Sequence, residues 1–323
     1  MAVRYNPTDY LYLSARLRAK EAGLVGREDL ARYAAMKDAA EIMAALVAEG
    51  KIPADVPREQ ALAEMLREGF ATVREAAPAP EIFAFLQYPY DCHNVKTALK
   101  CYFARRTPDT LFLNAGTVPT QELADIPTSV PTALPTHLRE AVSAAREAYE
   151  KTGDPREIDF ILDCACFADM ADAAKAMPAA EKLVRARAEM TNLRTARRLL
   201  AMQAGVQGEQ ILSHAFLVGG VSTREDLLAA YREGREALDA LVAKGEFSHV
   251  FAGEDPAEID RAMDNAYLQL AREVARVPFG AEVAVGYLVG IEYAVKNLRI
   301  LLVAKETGAD QATLAGRLRE NYV

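Results

Sequence analysis

Between Tyr287 and Leu302 the apolar residues Tyr287, Leu288, Ile291, Val295, Leu298, Leu301 and Leu302 recur mostly at three- and four-residue steps. That spacing lays them on one broad face of an α-helix. The opening of the chain does the same, Tyr10 to Gly23 forming an amphipathic stretch with a glycine stop. Sustained two-residue alternation with hairpin turns is absent. An all-α fold is expected, with Pro119 to Pro135 as its main irregular connection.

The pattern repeats. Asn94-Val95-Lys96 returns as Asn192-Leu193-Arg194 and as Asn297-Leu298-Arg299, 98 and 105 residues apart. A glycine block recurs as Phe112-Leu113-Asn114-Ala115-Gly116 and Phe216-Leu217-Val218-Gly219-Gly220, with Leu24-Val25-Gly26 in the same place earlier. Each reads as a helix broken at glycine and restarted behind a cap such as Thr120 or Thr223. An acidic block runs Asp154-Pro155 to Asp159 and Asp163, then Asp255-Pro256 to Asp260 and Asp264, with a weaker copy from Pro57-Arg58-Glu59 to Met65. Aspartate followed by proline is a helix start. A period near 100 residues exceeds that of common solenoids, so each unit is expected to be a small bundle. The boundaries are 1–110, 111–215 and 216–323. Ser14 stands where an asparagine would in the opening helix. Its end, Ala19-Lys20-Glu21-Ala22-Gly23, resembles Ala304-Lys305-Glu306-Thr307-Gly308, so the last unit is expected to pack on the first.

Charge and chemistry narrow the function. The net charge of −8 disfavours a non-specific nucleic-acid binder, which needs a basic surface. The stretch after Met1 has no apolar run, so no export signal is expected. The longest apolar or glycine run, Val283 to Ile291, is too short to span a bilayer, so membrane contact is expected through a partner rather than by insertion. Cys92, Cys101, Cys164 and Cys166 read as reduced thiols, with no CxxC pair. Cys164 and Cys166, two apart on a helix, face different sides, and no metal or other cofactor is expected.

Asp159 and Asp163, four apart with Asp169 and Asp172 following, could hold a divalent cation. Their recurrence at Asp260 and Asp264 favours capping and ion pairing. Asp163 is therefore expected near Arg194 and Asp264 near Arg299, each within its own repeat. Lys96, facing Met65 in the first unit, is expected to lack such a partner. His93 beside Cys92 and Asp91 forms no recognisable nucleophile motif, and His137, His214 and His249 are isolated. Gly50-Lys51-Ile52 lacks the rest of a phosphate loop, and no catalytic residue is assigned. The asparagines are mid-helix, where asparagine needs a reason. One is an amide bonded to a neighbouring helix, and the other is a motif exposed to a ligand. Basic residues crowd the asparagine helices (Lys96, Lys100, Arg194, Arg198, Lys296, Arg299 and Lys305 among them). They can pair within the chain or meet an acidic partner.

The residues Tyr10…Ser14-Ala15-Arg16-Leu17-Arg18-Ala19, Tyr90-Asp91-Cys92-His93-Asn94-Val95-Lys96…Leu99-Lys100, Ile259-Asp260…Asp264…Tyr267 and Glu292-Tyr293-Ala294-Val295-Lys296-Asn297-Leu298-Arg299…Lys305 resemble the central-stalk C-type component of V/A-type ATPases. That family includes the d component of the vacuolar enzyme. Ser14 and Cys92 depart from its pattern. The resemblance implies a funnel of three helical domains about a pseudo-threefold axis, its narrow side on the cytoplasmic face of the membrane rotor ring (the c/K proteolipids). The cavity is expected to receive the tip of the shaft formed by the D and F components. The implied role is non-catalytic coupling of that D/F shaft to the ring for ATP-linked H⁺ or Na⁺ transport. The competing readings are a soluble helical scaffold unrelated to ATPases and a metal-dependent helical enzyme.

Overall fold

Asp154 and Asp255 each accept a backbone N–H two residues on, at 2.9 and 3.0 Å, with proline between as the first helical residue. These caps satisfy a donor that the first helical turn leaves open. The computed structural model describes residues 6–323. Its α-helices run α1 (Leu11–Glu21), α2 (Arg27–Ala35), α3 (Ala39–Ala48), α4 (Arg58–Ala76) and α5 (Tyr88–Ala104). Then come α6 (Thr120–Leu123), α7 (Thr136–Thr152), α8 (Pro155–Ala174), α9 (Pro178–Ala201) and α10 (Gly205–His214). The last are α11 (Arg224–Glu233), α12 (Arg235–Lys244), α13 (Pro256–Val274), α14 (Ala281–Thr307) and α15 (Gln311–Arg317). No strand occurs among the described residues. The fold is all-α, as the periodicity requires.

Contacts divide the chain into two units, one formed by the chain up to Pro80 with Gly253–Val323, the other by Glu81–Ala252. The boundaries read from the repeats, at 110/111 and 215/216, both fall inside the second unit. Sequence period and spatial unit therefore divide the chain differently.

In the first unit α14 is the hub, packing on α1, α2, α3, α4, α13 and α15. The apolar run Val283 to Ile291 is buried residue by residue, so the helix is enclosed on all sides there rather than along one face. Its end follows the expected chemistry, since Gly308 takes φ +67° directly after Thr307. Lys305 donates to the carbonyls of Ala34 and Met36 at 2.7 and 2.5 Å. A cation thus sits on the last turn of α2, where the helix dipole favours one.

In the second unit α8 lies among α5, α7 and α9, and α9 also meets α10, α11 and α12. Helix α7 starts behind Pro135, which has no capping side chain. Its cap is borrowed: Asp169 of α8 accepts from the N–H groups of His137 and Leu138 at 3.0 and 2.8 Å. Burial holds this carboxyl above its ordinary pKa, and the two N–H groups oppose that rise.

Two sequence readings are corrected. The first glycine block does not end a helix, because α5 stops at Ala104, with Arg105 in the left-handed region at φ 53°, well before Gly116. Thr120 is the first residue of α6 and Pro119 its cap, whereas Thr223 does cap α11, accepting from Asp226 N–H at 3.1 Å.

Leu298, fully buried in α14, is expected to cost about 2–5 kcal/mol on truncation to alanine. Val303→Ala on the same helix, 39% exposed, is expected to cost about 0.5 kcal/mol or less. Urea unfolding of the two variants checks the difference.

Candidate functional site

Each asparagine of the repeat is buried, and each holds the backbone N–H and C=O of one residue of a returning segment by both of its polar atoms. Asn94 Nδ2 donates to Leu113 O and its Oδ1 accepts from Leu113 N–H, both at 2.8 Å. Asn192 does the same to Leu217, at 2.8 and 2.9 Å. Asn297 Oδ1 accepts from Arg319 N–H at 2.8 Å, and its Nδ2 donates to Arg319 O at 3.1 Å. The clamped residue lies 19, 25 or 22 positions downstream. An amide suits this task because it offers a donor and an acceptor side by side, matching the C=O and N–H of one residue.

Two of the clamps carry a second pin. Asp91, three residues before Asn94 and fully buried, accepts from Thr117 N–H, Thr117 Oγ1 and Val118 N–H at 2.9, 2.7 and 3.1 Å. Glu189, three before Asn192, accepts from Val221 N–H, Ser222 N–H and Ser222 Oγ at 2.7, 2.8 and 2.5 Å. In both loops the pinned N–H groups lie four and five residues beyond the clamped leucine. The recurring glycine is explained here. A Cβ at Gly116 overlaps the Asp91 carboxylate, and one at Gly220 comes within 2.8 Å of Glu189 Oε2. The third repeat has Ala294 in place of the acid. There Arg319, held by Asn297 through its backbone, sends its guanidinium to Asp264 at 2.8 Å.

Sequence reasoning passes over these carboxylates, although the signal is an acid three positions before the asparagine. Helical spacing places the pair on one face. Burial raises the Asp91 pKa, and bonds from Thr117 and Val118 work against the rise. Ser14 makes a fourth, shorter contact of the same kind. Its Oγ accepts from Gly280 N–H at 3.0 Å and lies 3.2 Å from Gly280 O.

The ion pairs differ from those expected. Asp163 meets Lys96 at 2.7 Å, and Lys100 meets Asp159 at 2.6 Å. These are two rungs between α5 and α8, so Lys96 has the partner that it was expected to lack. The reason is packing: the carboxylate side of α8 faces α5. Asp264 meets Lys296 at 2.6 Å and Arg319 at 2.8 Å, while Arg299 reaches Glu59 of α4 at 2.9 Å. Lys296 takes the place expected for Arg299. Burial alone raises the Asp264 pKa, but Lys296 and Arg319 outweigh it and hold the carboxyl below its usual range.

Among the described residues no three His, Cys, Asp or Glu side chains are placed to share a metal ion. No helix among them is long and apolar enough to cross a membrane. His93 is exposed, with Nε2 3.3 Å from Leu111 O, and Cys92 is buried, its Sγ 3.4 Å from Leu162 O. What the arrangement can do is hold loops rigidly.

The model of the ATP synthase (C/AC39) subunit family matches residues 13–316. The chain belongs to that family. The C-type component of the V-type sodium ATPase of Enterococcus hirae is 24% identical over 331 residues, covering 97% of this chain and 99% of that protein. The resemblance drawn from the asparagine blocks thus holds over nearly the whole chain, and it is to the C-type component of a V/A-type ATPase.

Asn94→Ala and Asn192→Ala each leave a buried N–H and C=O without partners. Each is expected to cost about 1–3 kcal/mol, read by thermal or urea unfolding. Asn94→Asp is expected to do no better, because its second oxygen faces the Leu113 carbonyl. For the ion pairs, a double-mutant cycle on Lys96 and Asp163 is expected to give a coupling of about 0.5–1 kcal/mol. The pH arm concerns Asp264, whose folded pKa is depressed. Its contribution is complete above the ordinary value of about 3.9 and is lost as pH falls through the lower folded value. Asp264→Asn is expected to flatten the acid limb of the stability profile there.

Proposed function

We propose that this chain is the non-catalytic central-stalk component of a V/A-type ATPase, coupling a D/F shaft to a membrane rotor ring. On this reading three helical bundles stand around a pseudo-threefold axis as a funnel on the cytoplasmic side of the membrane, and the shaft tip enters it. The protein passes torque between ATP turnover and H⁺ or Na⁺ movement, without chemistry of its own.

One observation carries the reading. The third asparagine helix, α14, packs on α1 to α4 at the other end of the chain, and Arg299 takes its carboxylate from Glu59. Helix α5 likewise takes its carboxylates from α8 of the following repeat, not from its own. In both, an asparagine helix reaches the acidic helix of another repeat, and the last reaches back to the first. A linear array leaves its first acidic helix unpaired. A cyclic one does not, and closure is what a torque-bearing collar needs to resist unwinding.

Affinity capture of the tagged full-length chain from a detergent extract of its own membranes tests this. The shaft components and the ring proteolipid are expected to co-purify in fixed ratio. Recovery of the chain without either overturns the assignment.

A further inference from the structure

Residues 318–323 follow α15 without regular structure and touch four helices of the first unit. Arg319 is held by the Asn297 clamp of α14 and reaches Asp264 of α13. Two further residues of α13 take hold next: Asn265 Oδ1 accepts from Glu320 N–H at 2.9 Å, and Arg272 Nε donates to Tyr322 O at 3.2 Å. Beyond them the Tyr322 hydroxyl donates to Glu21 of α1 at 3.0 Å, and Val323 lies against Gly26 at the start of α2. Each of these bonds has a side chain at one end or both.

Tyr322 has a seat made for it. Gly286 and Gly290, four apart on α14, share a face, and the ring lies on them. A Cβ at Gly290 comes within 2.8 Å of the ring carbons, and one at Gly286 overlaps the hydroxyl. The two glycines inside the buried run of α14 therefore leave the space that this ring needs. Arg18 holds Glu21 at 2.9 Å, one turn before the end of α1. Burial, and after it Glu21, raises the pKa of the hydroxyl, so it stays a donor to the carboxylate. The first two clamps close in the opposite sense. There Asp91 and Glu189 reach from the asparagine helix to the loop it holds. Here a side chain of the held segment crosses to the helix that opens the chain.

We infer that residues 318–323 form a latch between the last repeat and the first, engaged through Tyr322, whose release loosens the Glu21 end of α1 and the start of α2 while the helices stay folded. A few side-chain bonds to a segment outside any helix lie at the low-stability end of a fold, and the enclosed α14 lies at the other. The inference deepens the proposed function and rests on it for the load: a closed collar carries torque through this joint only while the latch is engaged.

Hydrogen exchange on the full-length chain, read by mass spectrometry, tests the latch with two variants. Gly290→Ala puts a methyl group where the ring lies, and Tyr322→Phe removes only the bond to Glu21. In Gly290→Ala, exchange is expected to quicken about tenfold in 318–323 and about threefold at the end of α1 and the start of α2, with α8 and α9 unchanged. Tyr322→Phe is expected to give the same pattern at smaller amplitude, and it decides the matter where Gly290→Ala disturbs α14 itself. Faster exchange in 318–323 alone, or in neither place, overturns the latch. In the assembled complex both variants are expected to keep the shaft and ring components, and Gly290→Ala to lower ion transport per ATP hydrolysed about twofold or more. Unchanged transport per ATP beside the expected exchange pattern overturns the load-bearing role. A wild-type chain that recovers neither shaft nor ring overturns the proposed function, while the exchange pattern still supports the latch.

Discussion

A loop that folds back onto a helical bundle brings peptide groups to a place where neither helix nor water satisfies them. An unpaired buried peptide costs about as much as a hydrogen bond is worth. In this chain the mid-helix asparagine resolves that conflict. Its amide mirrors a peptide, so one side chain satisfies the N–H and the C=O of a single loop residue at once. The penalty for asparagine inside a helix is at most about 0.7 kcal/mol, small against two lost bonds. Once Leu113 and Leu217 are fixed, the turns beyond them are fixed as well, and the acid one helical turn before the asparagine pins them. The glycine in each turn follows from the space that the acid occupies.

The buried and half-buried carboxylates therefore do different work according to what faces them. Asp91 faces only neutral donors, so burial dominates and its carboxyl is harder to ionise. Asp264 faces Lys296 and Arg319, and the same burial is outweighed. The first shapes a loop and the second ties α14, α13 and the segment after α15 together. With opposite pKa shifts, acidification weakens the Asp264 tie and favours the protonated form of Asp91. The two kinds of contact do not fail together.

Much of this is legible in the sequence. Apolar periodicity marks the helices, the Asp-Pro starts mark where α8 and α13 begin, and the three asparagines mark equivalent places in the chain. Ser14 is readable as a degenerate copy because it falls at the same point of an amphipathic helix. The partners are not legible. Spacing along one helix says which residues share a face, but not which neighbour that face meets, so it matches Asp264 to Arg299 although Lys296 meets it and Arg299 reaches Glu59. The glycine blocks mislead for a related reason. Glycine stops helices, and that local role is the default, but Gly116 and Gly220 are required by side chains about 25 and 31 residues away. Such a constraint leaves no local pattern.

Pairing across repeats has a mechanical consequence. If every asparagine helix were tied only to the acidic helix of its own repeat, each bundle would be satisfied internally, and torque would act on the connections between bundles alone. Here ties also run onward: α5 to α8 by two lysine–aspartate rungs, and α14 back to α4 through Arg299 and Glu59. A twist must then break specific, oriented bonds and slide interlocked helices, not merely bend a linker. Individually such half-exposed pairs contribute about 1 kcal/mol or less, so they do not make the fold stable. Their value is directional, because a hydrogen-bonded ion pair resists sliding along the helix axis more sharply than apolar contact does. Stability comes from the enclosed apolar length of α14 and its neighbours, and stiffness from where the polar ties are placed.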